Sequence, residues 1–306
     1  TDKFGRLTNH SGCGNDLRSE SSAARRLVVD SLKHLVRTFD LDGFRLDLAE
    51  LLGLDLLREI EQELLPIKPG LHLIAEPWSF RGRLPAAIRE TTYSLWSDDL
   101  REGLLKYSLG KGKAASVLGW LQGPPGDLFA HPAQCVNYLE SHDDYAFIDR
   151  LTENPHRNGS NPTDLDLRRH RLALAALLAS PGVPMLSSGQ DFLRSKKGVR
   201  NTYLRSDLNA LDYSLIDKHP QLHAFVRDWI ALRLSETGKL LRPAAYPSDT
   251  YYQSFVAEDG QAAAILINAD HSAGSDRLLF AINPSPDHSA TFSFTPEQLG
   301  EPFLLA

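Results

Sequence analysis

A cation and a carboxylate stand two residues apart in the short apolar run 43–48. In a β-strand, Arg45 and Asp47 would point to the same face of the sheet. A guanidinium group beside a carboxylate favours the ionised form, which is the form that a nucleophile requires. Taken alone, this pair is more often a structural ion pair that closes a strand than part of a catalytic site.

Two further carboxylates follow apolar runs later in the chain. Glu76 comes directly after the run 71–75 and shortly before Trp78, where the expected desolvation favours a protonated acid. Asp143, preceded by His142, follows another such run. Two facing carboxylates suit glycoside hydrolysis, in which one attacks the anomeric carbon and the other protonates the leaving oxygen and later activates water. The third would stabilise a developing oxocarbenium charge or bind sugar hydroxyls.

The elements that must position these groups alternate between helices and strands. Apolar periodicity predicts helices that begin near residue 22 and that cover 54–65, 114–121, 164–179 and 221–234. Continuous apolar runs predict strands over 43–48, 71–75, 92–96, 134–139 and 183–186. This alternation is typical of a parallel sheet covered by helices. In a βα barrel the active site lies at the carboxyl ends of the strands, where Asp47, Glu76 and Asp143 would converge.

The pattern changes after about residue 243. Antiparallel strands are predicted over 251–256, 262–267, 277–281 and 290–294. These strands indicate a small β domain at the end of the chain.

Composition excludes several classes of function. The chain of 306 residues has a net charge of −6 and no basic run, so we expect neither a nucleic-acid partner nor an acidic-membrane partner. No apolar stretch approaches the roughly 18 residues of a membrane-spanning helix. Cys13 and Cys135 lack the number or the spacing for a disulfide framework or a metal site. The compartment, cytoplasmic or secreted, is not fixed by these properties.

Three motifs resemble three of the four family motifs of the α-amylase superfamily of glycoside hydrolases, in the family's order. They are GFRLDLA at 43–49, IAEPW at 74–78 and VNYLESHD at 136–143. The resemblance implies that Asp47 is the catalytic nucleophile, Glu76 the general acid/base and Asp143 the carboxylate that stabilises the transition state. It also implies that Arg45 holds the nucleophile and that His142 binds sugar hydroxyls.

Further segments narrow the resemblance to debranching enzymes of the pullulanase and isoamylase type, including glycogen-debranching enzymes. They are SGCGND at 11–16, AEPW at 75–78, GQDFLRSKKG at 189–198 and DLNALDY at 207–213. The implied activity is retaining hydrolysis of α-1,6 branch bonds in pullulan, amylopectin, glycogen or branched maltodextrins. Trp78 is then either a core residue or a sugar-stacking platform. Asp207 and Asn209 either cap a turn or bind glucose.

The resemblance also predicts the domain organisation. The family barrel has eight strands, and the Asp47 strand resembles the fourth. We therefore expect the C-terminal part of a (β/α)8 barrel, about strands 4–8, over 1–240, followed by a β-sandwich domain over 241–306. The first family motif is not found in the sequence. We expect the chain to act only when a missing N-terminal segment or a companion chain completes the barrel.

The resemblance implies no required cofactor, although the family admits a structural calcium at a site that the sequence does not identify. Other activities stay open. An amylase acting on α-1,4 bonds or a trehalose-releasing hydrolase of the same superfamily would carry the same carboxylates. A non-catalytic glucan-binding relative is the alternative outside enzymes, and the three intact carboxylates argue against it.

Overall fold

The computed structural model describes residues 2–124, 128–152 and 158–295. Within these residues, five short strands form one parallel-type sheet in the order β1-β2-β3-β4-β5, and three strands form a second sheet in the order β6-β7-β8. The strands are β1 (Gly43–Leu46), β2 (His72–Ala75), β3 (Ser94–Ser97), β4 (Cys135–Tyr138), β5 (Val183–Met185), β6 (Tyr252–Val256), β7 (Ala263–Ile267) and β8 (Leu278–Ile282). This architecture is that of part of a βα barrel followed by a small β domain, as the sequence predicted.

Ten α-helices connect or follow these strands within the described part of the chain. They are α1 (Ser22–Phe39), α2 (Ala49–Leu52), α3 (Leu54–Leu64), α4 (Asp98–Ser108), α5 (Ala114–Gln122), α6 (Phe147–Leu151), α7 (Asp164–Ala179), α8 (Ser206–Asn209), α9 (Ser214–Lys218) and α10 (Pro220–Leu234). The predicted bounds of α7 are those observed, because Thr163 and Asp166 form a capping box that fixes the start of the helix. Among the helices of the described residues, none has the length and hydropathy of a membrane-spanning segment.

By packing, the chain divides into two compact units. The first comprises Thr1–Trp96 and Gly126–Val136, and the second comprises Ser97–Pro125 and Asn137–Ala306. The predicted domain boundary at residue 240 stays a prediction.

The first unit has a core in which α1 and α3 cover β1 and β2. Its fully or almost fully buried side chains include Leu56, Leu57, Ile60, Leu73 and Leu95. This core supports the strand ends that carry Asp47 and Glu76.

The second unit has a core of helices α4, α5, α7 and α10 together with the C-terminal sheet. All five residues of β7 are buried, and Ala263, Ile265 and Ile267 belong to this core. The Tyr107 hydroxyl in α4 donates a hydrogen bond to the Gln261 carbonyl at 2.7 Å. The sheet therefore shares its core with helices of the barrel part.

The prediction of a fourth C-terminal strand over 290–294 is wrong. No ladder hydrogen bonds place these described residues in a sheet. Their alternating polarity has a different cause, since Phe294 packs edge-on against Phe255 with ring centroids 4.7 Å apart.

Backbone contact between β1 and β2 makes Gly43 a sensitive position. The two strands pair in parallel with Gly43 opposite His72, and an added Cβ at Gly43 would lie 2.3 Å from the His72 carbonyl oxygen. We expect Gly43→Ala to lower the free energy of unfolding of the natural polypeptide that carries this sequence by roughly 1–3 kcal/mol, measured by denaturant titration.

Gly119→Ala is the matched control, because an added Cβ there meets no atom within 4 Å in α5. Alanine is favoured over glycine in helices by about 1 kcal/mol, so this variant should be neutral or more stable. Equal free energies of unfolding for the two variants would contradict the close approach of β1 and β2.

Candidate active site

The turn after β1 is tied to Glu76 through three backbone and side-chain contacts. Leu48 adopts a left-handed conformation with φ of 42°, which is costly for a residue with a Cβ. This conformation aims the Leu48 N–H at Glu76 Oε2, 2.8 Å away. The Ala49 N–H donates to the Glu76 carbonyl oxygen at 3.0 Å, and the Glu76 N–H donates to the Leu46 carbonyl at 3.0 Å. The ends of β1 and β2 are thereby held side by side.

Arg45 contacts both carboxylates of the first unit. Its Nη1 forms an ion pair with Asp47 Oδ1, and its Nη2 lies 3.3 Å from Glu76 Oε2. The guanidinium carbon lies 4.4 Å from the centroid of the Trp96 ring, which fixes the plane of the group from β3. One cation therefore contacts both Asp47 and Glu76. The sequence analysis predicted the contact of Arg45 with Asp47 but not its contact with Glu76.

The two carboxylates differ in their exposure. The Asp47 side chain is 65% exposed, whereas that of Glu76 is 5% exposed. Asp47 can thus meet a substrate directly, while Glu76 stands in a desolvated position beside hydrogen-bond donors.

Trp78 is half-buried and its ring is in contact with Arg83. The Arg83 guanidinium carbon lies 5.5 Å from the ring centroid, and Trp78 and Arg83 also form an isolated antiparallel bridge. A role for Trp78 as a sugar-stacking platform stays a prediction. Its neighbour in the chain, Ser79, donates to Glu50 Oε2 at 2.5 Å, so Glu50 helps to hold this loop.

In the second unit, His142 and Asp143 follow β4. The side chains are 66% and 60% exposed, and His142 Nε2 lies 3.4 Å from Asp143 Oδ2. They line a cavity of about 360 Å³, together with Arg194 and Asn209. The structure thus brings His142, Asp143 and Asn209 together within this unit.

Asn209 and Asp207 differ in their surroundings. Asn209 Oδ1 accepts hydrogen bonds from Thr202 Oγ1 at 2.7 Å and from Arg194 Nη2 at 3.1 Å, which fixes its side chain at the cavity. Asp207 does not line the cavity and pairs with both Nε and Nη2 of Arg205 at 2.8 and 2.7 Å. The hydrogen bonds from Arg205 lower the pKa of Asp207. A sugar-binding role for Asp207 stays a prediction.

The structure adds functional candidates that the sequence analysis did not select: the Leu48 amide, Glu140 and Lys196. The Leu48 amide has no sequence signal, because its direction depends on a backbone conformation that leucine rarely adopts. Glu140 did have a sequence signal. A carboxyl group that directly follows the apolar residues of β4 is expected to be buried. Lys196 lies in the debranching-like segment 189–198, but its partners are more than 50 residues away.

Glu140 is a buried acid next to the His142 turn. Its Oε2 accepts the Phe147 N–H, and burial raises its pKa from an ordinary value of 4.5 to about 7. The folded state therefore retains a proton between these two values that the unfolded state releases. The stabilisation from this group is present below about pH 4.5 and is lost as the pH rises through 7.

Glu140→Gln should remove this dependence, because the amide does not titrate. We expect the stability of the natural polypeptide relative to the variant to fall by up to about 3 kcal/mol between pH 4.5 and 8, measured by chemical unfolding. His170 contributes the opposite pH dependence of stability, because burial lowers its pKa to about 4. Both proteins contain His170, so its contribution cancels in the comparison. A stability difference that does not change with pH would contradict the buried position of Glu140.

Within residues 2–124, 128–152 and 158–295, no group of three or more His, Cys, Asp or Glu side chains is arranged to hold a metal ion. The two cysteines in this part of the chain are free thiols, Cys13 exposed and Cys135 buried.

Comparison with known proteins finds relatives whose names refer to pullulan or glycogen. No protein-family model matches the chain. The chain is 32% identical over 271 residues to "Pullulanase" of Bacillus subtilis strain 168, which covers 80% of the chain and 37% of the relative. It is 27% identical over 263 residues to "Glycogen operon protein GlgX homolog" of Mycobacterium tuberculosis strain H37Rv, covering 72% of the chain and 36% of the relative.

A solved structure shares the fold. Pullulanase from Paenibacillus barengoltzii in complex with maltohexaose and α-cyclodextrin matches with a TM-score of 0.78 and 26% identity, over 92% of this chain and 47% of the other. The chain thus spans between about a third and a half of the length of these relatives.

Proposed function

We propose, from the premise that this chain is part of a pullulanase- and isoamylase-type member of the α-amylase superfamily, that it carries the catalytic carboxylates of a retaining α-glucan hydrolase. The observation that carries the proposal is the contact of one guanidinium group, that of Arg45, with both Asp47 and Glu76. Carboxylates of retaining glycosidases are about 5–5.5 Å apart, a spacing that one bridging guanidinium favours.

Exposure and contacts support different roles for the two groups. Asp47 is exposed and ion-paired, which suits the nucleophile that attacks the anomeric carbon. Glu76 is buried, which suits the group that donates a proton to the glycosidic oxygen. The proposed steps are expulsion of the protonated leaving group, formation of a β-glucosyl ester on Asp47, and its hydrolysis by water that Glu76 deprotonates. The anomeric configuration is retained overall.

We assign supporting roles in the second unit from the motif and from the local geometry. Asp143 would stabilise the oxocarbenium-like charge, and His142, 3.4 Å from it, would bind a sugar hydroxyl. Asn209, whose side chain is fixed at the same cavity, would bind a glucose unit. Carboxyl groups supply all of this chemistry, so the mechanism requires no cofactor. The expectation of a structural calcium stays a prediction without an assigned site.

The proposed substrates are α-1,6 branch bonds of pullulan, amylopectin and glycogen. Two kinds of relative support this choice: those named for pullulan and glycogen, and a pullulanase whose structure contains maltohexaose and α-cyclodextrin. We also propose that an N-terminal segment or a companion chain completes the barrel. In the described sheet, β1 and β5 each pair with one neighbour, and an edge strand leaves backbone groups available for a further strand.

Product analysis of pullulan digestion by the natural polypeptide tests the proposal. We expect maltotriose, released first as the α-anomer in an NMR time course. Products that keep an α-1,6 bond would favour an α-1,4-acting amylase, and trehalose would favour the trehalose-releasing alternative. Binding of glucan without any release of sugar would favour the non-catalytic relative and would overturn the proposal.

The 306-residue chain by itself provides the matching test of completeness. We expect it to show no hydrolysis of pullulan. Hydrolysis by a preparation whose mass equals that of the chain alone would overturn the need for a completing segment.

A further inference from the structure

We propose that Lys196 is a positioning residue, whose buried ammonium group fixes the turn that presents His142 and Asp143. The proposal deepens the proposed function, on which the roles of those two side chains rest. Lys196 is only 1% exposed, so it cannot contact a glucan itself.

Four consecutive carbonyl oxygens of the turn converge on one cation. Lys196 Nζ lies 3.5, 2.7, 3.4 and 2.9 Å from the carbonyl oxygens of Ser141, His142, Asp143 and Asp144, respectively. Peptide carbonyls that point toward one another repel, and burial would leave them without water. The positive charge of the ammonium group offsets the repulsion between the carbonyls, and its N–H groups donate hydrogen bonds in place of water.

The carbonyls of this turn contact the buried Lys196, whereas the side chains of its central residues face solvent. His142 and Asp143 are mostly exposed, and Asp144 takes a left-handed conformation with φ of 57°. The Asp144 N–H donates to Asn201 Oδ1 at 2.9 Å, and the Asp143 N–H donates to Ser141 Oγ at 3.2 Å. The direction of the two functional side chains therefore depends on carbonyls that Lys196 holds.

Lys196 is itself anchored. The backbone N–H of Lys196 donates a hydrogen bond to Asp149 Oδ2 at 2.7 Å, and the Ser195 hydroxyl donates to Asp149 Oδ1 at 2.5 Å. The pKa of Lys196 is lowered, first by burial and then by the neighbouring Arg194, and the carboxylates of Glu140, Asp143 and Asp144 offset only part of this effect. Asp149 thus fixes the backbone from which the ammonium group reaches the turn.

Activity of the natural polypeptide gives the first readout. We expect Lys196→Met to reduce kcat/KM on pullulan by roughly 10²-fold, since misplacement of about 1 Å has effects of this size. Lys197→Met is the matched control, because it removes the same charge from an exposed neighbour and should leave activity unchanged. In Lys196→Ala, ethylammonium chloride should restore part of the activity, whereas sodium chloride at equal ionic strength should not.

Hydrogen exchange gives a second readout that does not depend on activity. In Lys196→Met, the amides of 143–147 should exchange roughly tenfold faster than in Lys197→Met, while those of α7 should not change. Ethylammonium should restore the protection in Lys196→Ala. Unchanged exchange in the turn, or equal acceleration in α7, would overturn the proposal.

The two hypotheses can fail separately. If the natural polypeptide does not cleave pullulan but the turn loses protection selectively, the positioning role stands and the proposed function fails. If it cleaves pullulan and Lys196→Met equals Lys197→Met in both readouts, the positioning role fails and the proposed function stands.

Discussion

Replacement of Asp47 by Asn will lower the turnover of pullulan by the natural polypeptide by about 10⁴-fold or more. An amide cannot form the glycosyl ester that the proposed mechanism requires. The side chain is 65% exposed at the end of β1, so the isosteric change should leave the fold intact. Reducing-sugar release measures the loss, and binding of maltotetraose by calorimetry checks that the site remains formed.

Asp55→Asn is the matched control for this substitution. Asp55 is exposed in the first turn of α3 and lies only eight residues further along the chain. The control variant should retain full activity. If Asp47→Asn kept more than a hundredth of the activity of the control, the assignment of Asp47 as nucleophile would be wrong.

Replacement of Glu76 by Gln will lower kcat on pullulan by roughly 10²–10⁴-fold, because the variant cannot protonate the leaving oxygen or activate water. Glutamine is preferable to alanine here, since its oxygen can still accept the Leu48 N–H that Glu76 accepts at 2.8 Å. The first step on α-maltotriosyl fluoride should be much less affected, because fluoride departs without a proton donor. Burst kinetics would separate the two steps.

Azide and a second glutamine variant complete this experiment. Azide attacks a glycosyl ester without base assistance, so it should raise the turnover of α-maltotriosyl fluoride by Glu76→Gln. Glu90→Gln is the control, since Glu90 forms an exposed ion pair with Arg58. A Glu76 variant that loses equal activity on pullulan and on the fluoride, with no response to azide, would indicate a structural role for Glu76.

Much of the fold was predictable because the helices and strands near the site carry strong local patterns. The apolar runs before Asp47 and Glu76 correspond to β1 and β2, although each strand is shorter than its run. The helix α4 (Asp98–Ser108) was missed, even though Ser97 caps it by accepting the Leu100 N–H. Three of the four residues in its first turn are charged, Asp98, Asp99 and Arg101, and such residues are equally typical of a loop.

The remaining parts of the candidate site depend on distant contacts. Arg45 was expected beside Asp47 from their spacing, but its contact with Glu76 requires the pairing of β1 with β2. The left-handed Leu48 is stabilised by hydrogen bonds that Glu76 accepts, and no local rule predicts it. Lys196 is separated along the chain from its four carbonyls by more than 50 residues, which include helices α6 and α7. Such convergence cannot be recognised from local patterns of sequence.

The most direct test of the central claim is a mass-spectrometric search for the covalent intermediate. In the Glu76→Gln variant of the natural polypeptide, α-maltotriosyl fluoride should form a glycosyl ester that accumulates, because the water that cleaves it lacks its base. Trypsin cleaves after Arg45 and Arg58, so the adduct should appear on peptide 46–58, and fragmentation should place it on Asp47. An adduct on Glu50 or Asp55 of the same peptide, or turnover of the fluoride with no adduct on Asp47, would contradict the account.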